Sequence, residues 1–399
     1  MTRTVMSRRG FLKSLAGLSI VAAGGVVYRA WDNGVFDVGA GPAYEPWHDW
    51  RDDMGDGPLA LVRAGILASN AHNTQPWRFE LAEDRIAVYA DHERHLGAFD
   101  PYRREMALSL GCAIENMVLT AKAQGFAPRM ELAQDRFGLG GPAHPERPVA
   151  ILHLAPGEAE ESELFRAIAH RHTHRGAYDR EQPVSQALQD EMQSLAGGRD
   201  GIRLFLFGGG PAKARLGELI VSATEEIIAD HAMAMDSAAW FRFDWRSIQQ
   251  HRDGVTLDTV GLPPLINAVA KIVPAPSPEQ ADQQWLDATR NVHVATAPLL
   301  GMITVGDLYD QPTTLQAGQL WQRLHLWATA RGLAAQPLNM PPERVDREAE
   351  LGLEPRMAAA LTGITGDAGW RPTFVFRMGH AERPARLSPR RPVEAVLAA

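Results

Sequence analysis

The chain has 399 residues, is 45% hydrophobic and carries a formal net charge of −8, with a pI near 6.0. This length and apolar content are enough to bury a large core, which predicts a folded globular body. Charges of both signs are spread without a long basic stripe, so we expect no nucleic-acid partner. Cys112 is the only cysteine, which excludes an intramolecular disulfide and a thiolate metal cluster.

Residues 1–30 have the shape of an export signal. A basic start is followed by an uncharged, glycine- and alanine-rich run over residues 14–28. The stretch "SRRGFLK" resembles the twin-arginine (Tat) signal pattern, which implies the Tat export machinery as a partner. The implied location is the periplasm or the outer face of the cytoplasmic membrane.

The fate of this segment stays open. The apolar run is shorter than a membrane span of about 20 residues, and no clean Ala-x-Ala site follows it. Cleavage and retention as a membrane tether are both compatible with this sequence. Tat export carries folded proteins, which favours a tightly held cofactor acquired before export.

A connector rich in glycine, proline and tryptophan (residues 31–57) precedes alternating helix and strand patterns. Pro76 disfavours helix at Gln75, and Gly125 closes a long amphipathic helix. The periodicity predicts helices over 58–69, 103–125, 161–170, 184–196, 211–235 and 314–332, and strands over 78–81, 85–91, 147–154, 202–207, 298–305 and 372–379.

An internal comparison indicates duplication. A shift of about 207 positions aligns residues 111–127 with residues 318–334, with identities at about six of seventeen places, mostly alanine and glycine. Two unrelated amphipathic helices with glycine caps would give a similar match, so both interpretations stay open. Duplication predicts a first half over 58–157 and a second half over 158–399, with an insertion at about 240–265.

The first polar cluster is "SNAHNTQPW" (69–77). The amides of Asn70, Asn73 and Gln75 both donate and accept hydrogen bonds, which suits the edge of a heterocycle. The same residues are typical of a capped turn between a helix and a strand.

The second cluster is "RHTHR" (171–175). Two guanidinium groups four positions apart with a hydroxyl between them are suited to a phosphate group. Alternating histidines could instead be metal ligands, but the interleaved arginines oppose cation binding and we expect no metal. An ordinary solvated face is the remaining interpretation.

The third cluster, "SPRRPVEAVL" (388–397), places Arg390 and Arg391 between two prolines. Such a segment suits an anion or is simply a solvated basic tail. The chain lacks the G-x-G-x-x-G, G-x-S-x-G and H-E-x-x-H motifs, which disfavours a Rossmann site, a serine-hydrolase elbow and a zinc-protease helix.

Together the three clusters resemble the flavin mononucleotide (FMN) site of the nitroreductase superfamily. Family members have an Arg-[Arg/His]-[Ser/Thr]-x-[Arg/Lys] box, an Asn-x-Gln-Pro-Trp box and a Pro-Arg-Arg/Lys-Pro segment, which correspond here to residues 171–175, 73–77 and 389–392. The order of the boxes differs from the usual one and resembles the single-chain Acg-like branch, in which two nitroreductase units are fused.

This resemblance implies an α+β fold of two pseudo-symmetric nitroreductase-like halves with one FMN between them. The residues implied to hold the phosphate are Arg171, His172, Thr173, Arg175, Arg390 and Arg391. Those implied to bond the ring or the ribityl chain are Asn70, Asn73 and Gln75, and those implied to approach the ring's reactive nitrogen are Gln336, Pro337 and Leu338.

The implied activity is that of an exported FMN-dependent oxidoreductase passing hydride to a nitroaromatic, a quinone or a similar small molecule. The electron donor is NAD(P)H or a periplasmic reductant, and no side chain is expected to act as general acid or base. The alternative is a flavin-sequestering protein with little turnover. Residues 240–265 resemble a lid of this branch: a closed lid favours sequestration, and an open cavity beside Trp240 and Trp245 favours the enzyme.

Overall fold

The computed structural model describes residues 25, 27–50, 57–141 and 144–398. The predicted export signal lies almost entirely outside them. No helix in this described part of the chain is long and apolar enough to cross a membrane.

The first half builds a four-stranded antiparallel sheet in the order β1-β2-β4-β3. Trp77 and Phe79 on its first strand face the core, and Arg78 and Glu80 face outward. The strands are β1 (Trp77–Leu81), β2 (Arg85–Ala90), β3 (Phe126–Leu132) and β4 (Ala150–Pro156); the helices are α1 (Glu45–Asp49), α2 (Pro58–Gly65) and α3 (Arg104–Ala123), with 3-10 turns at Ala71–Asn73, His92–Arg94 and Gly97–Phe99.

The second half repeats this plan with a second four-stranded antiparallel sheet, in the order β5-β8-β10-β9. Its strands are β5 (Ile202–Phe207), β8 (Leu299–Val305), β9 (Ala334–Pro337) and β10 (Arg371–Gly379), and a short parallel pair is formed by β6 (Phe241–Arg242) and β7 (Val255–Thr256).

The helices of this half cover both faces of its sheet and carry the lid region. They are α4 (Glu163–Arg166), α5 (Gln186–Ala196), α6 (Gly210–Ala229), α7 (His231–Ala238), α8 (Trp245–His251), α9 (Pro264–Ile272), α10 (Pro278–Ala288), α11 (Gln311–Ala330), α12 (Met340–Glu350) and α13 (Arg356–Thr365); a π-helix spans Thr289–Val294 and 3-10 turns span Ile168–His170, Leu257–Thr259 and Val393–Val396.

The structure corrects two predicted helices. The helix predicted over 211–235 is two helices, because Asp230 leaves the helical conformation and its side chain accepts from the backbone N–H of Met233 as the cap of α7. The helix predicted over 161–170 is the short α4 followed by a 3-10 turn. Strands β3 and β9 were not predicted, because each contains proline and β9 has four residues.

The two halves meet where helices α3 and α11 cross. A Cβ atom at Gly111 would overlap the carbonyl oxygen of Leu315, and one at Gly318 would overlap that of Leu108. Only glycine permits this backbone approach. The two contacts are exchanged by the 207-position shift that aligns the halves, as expected for a two-fold interface.

Polar contacts next to this crossing follow the same exchange. Arg323 forms an ion pair with Glu115 at 2.5 Å, and Gln322 Nε2 donates to Asn116 Oδ1 at 2.8 Å. The 207-position shift relates Glu115 to Gln322 and Asn116 to Arg323, so it exchanges these two pairs. The expected α+β class with two pseudo-symmetric halves is therefore confirmed, whereas the domain boundaries stay a prediction.

A buried polar cluster ties the start of α3 to α12 in the other half. Arg104 Nε donates to Asp346 Oδ2 at 2.7 Å, and Asn339 Nδ2 donates to Glu105 Oε1 at 2.6 Å. Burial raises the pKa of Glu105 to about 7, so this carboxyl retains its proton in part at neutral pH. The cluster fixes Asn339 beside strand β9.

Replacing Gly111 by alanine should lower the free energy of unfolding by about 1–3 kcal/mol, because the methyl group has no space at the crossing. Gly363→Ala is the matched control: this helical glycine has open space around its Cα, so alanine should raise stability by up to about 1 kcal/mol. Urea unfolding measures both. Equal effects would contradict the tight crossing.

Candidate functional site

The "HNTQPW" segment forms a strained turn at the edge of the first half. His72, Asn73 and Gln75 have left-handed backbone conformations, with φ of 46°, 56° and 52°. Asn70 Oδ1 accepts a hydrogen bond from the Gln75 backbone N–H at 2.8 Å, which closes the turn. Left-handed backbone costs roughly 1–2 kcal/mol per non-glycine residue, so the surrounding contacts must hold it.

Asn73 joins this turn to both the C-terminal segment and the lid. Its Nδ2 donates to the carbonyl oxygens of Pro389 at 2.9 Å and Gly254 at 3.1 Å. Its Oδ1 accepts from Arg390 Nη1 at 2.6 Å. The hydrogen bonds of the Asn73 amide are therefore all made within the protein. Asn73 would affect a ligand indirectly, by positioning Arg390.

Gln75 makes a parallel set of contacts. Its Nε2 donates to the Arg252 carbonyl at 2.8 Å, and its Oε1 accepts from the Arg391 backbone N–H at 2.8 Å. The Arg391 side chain turns away from the cavity described below, toward Asp91 at 3.7 Å and the Ala395 carbonyl. Arg391 and Gln75 thus fix the backbone around the site.

Two buried arginines from distant parts of the chain meet at one carbonyl oxygen. Arg171 Nη2 donates to the Leu67 oxygen at 3.0 Å and Arg390 Nη2 donates to the same atom at 3.4 Å. The Nε of each is buried without a hydrogen-bond partner, and no carboxylate of the described residues pairs with either group. Among the residues that the structure describes, these two buried positive charges therefore have no counter-ion.

The connector supplies the wall behind these arginines. The Trp47 ring lies 4.7 Å from the Arg390 guanidinium, and its Nε1 donates to the Ser388 carbonyl at 2.7 Å. His172 also packs edge-on against Trp47, with 4.5 Å between the ring centroids. Burial, with the Arg171 charge, lowers the pKa of His172 to about 3, so His172 is neutral and acts in packing.

A cavity with about 390 Å³ of empty space, part of it open to solvent, lies in front of Arg171 and Arg390. Burial lowers the pKa of Arg171 to about 10, which still leaves it protonated at neutral pH. None of the lining residues carries a carboxylate, so the cavity is positively charged. The lining residues are Ser69, Asn70, Asn73, Arg171, Thr173, Arg175, Gly254, Val255, Thr259, Arg386, Ser388 and Arg390.

The lid, residues 240–265, lies across this cavity and is hydrogen-bonded to the residues that surround it. Arg175 Nη1 donates to the Thr259 carbonyl at 3.1 Å, and the Gly254 backbone N–H donates to the Asn73 carbonyl at 3.1 Å. Asp253 forms ion pairs with Arg94 and with Arg242, and the Arg242 Nη2 to Asp253 Oδ1 distance is 2.8 Å. The described conformation is therefore a closed lid.

The lid tryptophans lie outside the cavity. Trp240 lies beside the guanidinium groups of Arg94 and Arg242, with centroid distances of 5.3 and 5.9 Å. Trp245 packs against Gly34 of the connector. Neither residue borders the cavity in the closed conformation.

The segment Gln336–Leu338 lies in and after strand β9, away from the cavity lining. Gln336 Oε1 accepts from Arg377 Nε at 2.7 Å, and Leu338 is buried in the core. The strand meets the second cluster through its backbone, since the His174 N–H donates to the Ala335 carbonyl at 3.1 Å. The proposed role of Gln336, Pro337 and Leu338 stays a prediction.

Sequence reasoning missed several lining residues. Arg386 lies four residues before Arg390, and Thr259 belongs to the lid. Neither residue is part of a recognisable motif. Trp47 was missed because residues 31–57 were interpreted as a connector. Within the described residues, no group of three or more histidine, cysteine, aspartate or glutamate side chains is placed to hold a metal ion.

No protein-family model matches the chain. Two curated proteins of Mycobacterium tuberculosis, which bear the provisional name NAD(P)H nitroreductase, are 27% identical over 121 residues. The match covers 30% of this chain and 33% of theirs, so the chain spans about a third of the length of the curated relatives it matches.

Among solved structures, the chain is similar to the FMN-dependent nitroreductase NfnB of Mycobacterium smegmatis in complex with NADPH, with 16% identity and a TM-score of 0.36 over 59% of this chain and 97% of that one. It is also similar to a nitroreductase with bound FMN from Desulfitobacterium hafniense, with 14% identity and a TM-score of 0.36 over 60% of this chain and 98% of that one.

Asn73→Gly should lower the free energy of unfolding by about 1–3 kcal/mol, because the buried Arg390 and two carbonyl groups lose their partner while glycine keeps the left-handed backbone. Asn291→Ala, at an exposed helical position, should stay within about 0.5 kcal/mol of the parent chain. Denaturant unfolding measures both; a change at Asn73 no larger than that of the control would show that the turn is held by other contacts.

Proposed function

We propose that the chain is an exported, FMN-dependent oxidoreductase of the nitroreductase type, in the single-chain Acg-like branch. The observation that carries this proposal is the pair of buried guanidinium groups, Arg171 and Arg390, that face a cavity without a carboxylate partner among the described residues.

Burying an unpaired charge costs several kcal/mol, so two such charges side by side call for an anion from outside the protein. A phosphate monoester carries close to two negative charges and three acceptor oxygens, which match the donors of two arginines. Thr173 and Arg386 border the same space, and their hydroxyl and guanidinium groups would be further donors.

The remaining lining suits the rest of a mononucleotide. Asn70 adds an amide at the end of the cavity formed by the first half. Arg171, Thr173, Arg175, Arg386 and Arg390 would hold the phosphate, and the lid would exclude water from the bound molecule.

When bound, FMN supplies hydride transfer between an electron donor and an acceptor. The protein's part is to position the phosphate through the arginines and to cover the cavity with the lid. NAD(P)H or a periplasmic reductant would be the donor, and a nitroaromatic or quinone the acceptor. The name of the Mycobacterium tuberculosis relatives agrees with a nicotinamide donor.

The location in this proposal rests on the sequence of the first thirty residues. The "SRRGFLK" motif before an uncharged run supports Tat export to the periplasm, with a tether to the cytoplasmic membrane if the segment is retained.

The closed lid favours a second candidate, a protein that sequesters FMN. The lid is joined to the site through Asn73, Gln75 and Arg175, so a bound flavin would be covered unless these bonds open. Turnover requires the lid to move, whereas sequestration requires it to stay closed.

Arg171→Met should weaken FMN binding by about tenfold to a hundredfold, because a charge-assisted bond of about 1.5–3 kcal/mol to the phosphate is lost. The ligand-free variant should be no less stable than the parent by more than about 1 kcal/mol, since a buried unpaired charge is removed. Arg180→Met, at an exposed arginine outside the cavity, is the control. Fluorescence titration with FMN measures the affinity of the parent chain and of both variants, and urea unfolding measures their stability. Equal affinities would contradict the site.

Anaerobic mixing of the FMN-loaded chain with NADPH separates the two candidates. An oxidoreductase should lose its oxidised-flavin absorbance and regain it when a quinone is added. A flavin that stays oxidised with NADPH and also with dithionite would indicate a sequestered cofactor; one that only dithionite reduces would indicate a different donor.

A further inference from the structure

Helix α9 is amphipathic, but its polar face packs against the protein and its apolar face is exposed. Its polar residues point into the protein: Asn267 Nδ2 donates to Asp258 Oδ1 at 2.6 Å, and Lys271 Nζ donates to Asp258 Oδ2 at 2.8 Å. Lys271 also donates to the Gly34 carbonyl at 3.1 Å. These buried bonds fix the rotation of the helix, so its other face must point outward.

That outward face is apolar. Leu265 is 76% exposed, and Ile266, Val269 and Val273 are each about half exposed, with Leu262 just before the helix. Within the helix, the spacing places Leu265, Ile266 and Val269 on one side, and Leu262 and Val273 flank its two ends. Residues 262–273 contain no acidic residue.

A second exposed apolar segment adjoins this face. Asn33 Nδ2 donates to the Lys271 carbonyl at 2.5 Å, which brings residues 27–36 against the end of α9. Tyr28, Trp31 and Phe36 in this segment are 60%, 65% and 75% exposed. Of the fifteen large hydrophobic side chains that the described residues expose, nine lie in these two segments.

We propose that this surface, residues 27–36 together with 262–273, docks on the interface of a lipid bilayer. Contiguous exposed apolar surface of this kind marks an interaction site. An amphipathic helix with one apolar face lies in the plane of the interface, and tyrosine and tryptophan favour the level of the headgroups.

The chain itself points to lipid rather than to a protein partner. The uncharged run of residues 14–28 ends with Val27 and Tyr28, which are part of the docking surface. A retained N-terminal segment and the α9 face would therefore contact the same bilayer. The docking surface is independent of the proposed flavin chemistry, because none of its residues borders the cavity.

The test uses a local probe in the full chain. Cys112 is buried, and burial raises its pKa, so a thiol-reactive, environment-sensitive fluorophore will label Ile266→Cys selectively. Leu351→Cys, at an exposed leucine outside the docking surface, is the matched control. Phosphatidylcholine vesicles are then added to each labelled protein.

We expect a blue shift and stronger emission at position 266 on vesicle addition and no change at position 351. In flotation, Ile266→Asp with Val269→Asp should reduce vesicle partitioning by roughly tenfold or more. No shift at position 266 while the protein floats with the vesicles would overturn the proposal, as would a shift that depends on protein concentration without lipid, which would indicate a second copy.

Discussion

Two buried positive charges that share one carbonyl oxygen are the constraint on which the site depends. Arg171 and Arg390 both donate to Leu67, and like charges held this close repel each other in a medium where water cannot screen them. Burial and the Arg171 charge lower the pKa of Arg390 well below its ordinary value. Such an arrangement is stable only if the surrounding structure positions both groups.

Three neighbouring residues hold the Arg390 guanidinium in position. Asn73 Oδ1 accepts a hydrogen bond from Arg390 Nη1, and the Ser388 hydroxyl accepts a second one at 2.7 Å. The Trp47 ring lies against the guanidinium group. The strained turn at residues 72–75 is thus explained by its contacts, because it delivers Asn73 to a charged side chain that would otherwise lose a partner. Strain of this kind is concentrated at functional sites.

The glycine crossing determines which parts of the chain can reach this point. With Gly111 and Gly318 at the centre, the first half contributes Leu67 and the 70–75 turn, and the second contributes residues 171–175 and 386–391. The described architecture is repeated, but the "HNTQPW" segment that borders this cavity occurs in the first half alone. Each half therefore contributes a different part of one site.

The two-half fold and much of the charged cluster could be predicted from the sequence. The helices on either side of the crossing have strong periodicity and glycine caps, and the arginines of residues 171–175 and 389–392 stand in local motifs. The amides of Asn73 and Gln75 were also found, but their partners, Pro389, Gly254 and Arg252, are far along the chain and no local pattern identifies them.

What could not be predicted depends on long-range packing. Trp47 acts only through contact with Arg390 and Ser388, and Arg386 becomes a lining residue only because the C-terminal segment folds back. Helix α9 was not predicted, and the outward direction of its apolar face could not be, because periodicity alone does not say which side of a helix is buried.

The visible absorption spectrum of the full chain, purified after native export and followed by mass analysis of any released chromophore, tests the central claim most directly. A flavin absorbance band, with FMN as the released molecule, is the predicted result. A colourless protein that cannot be reconstituted with FMN would contradict the assignment of the arginine cavity as a flavin phosphate site.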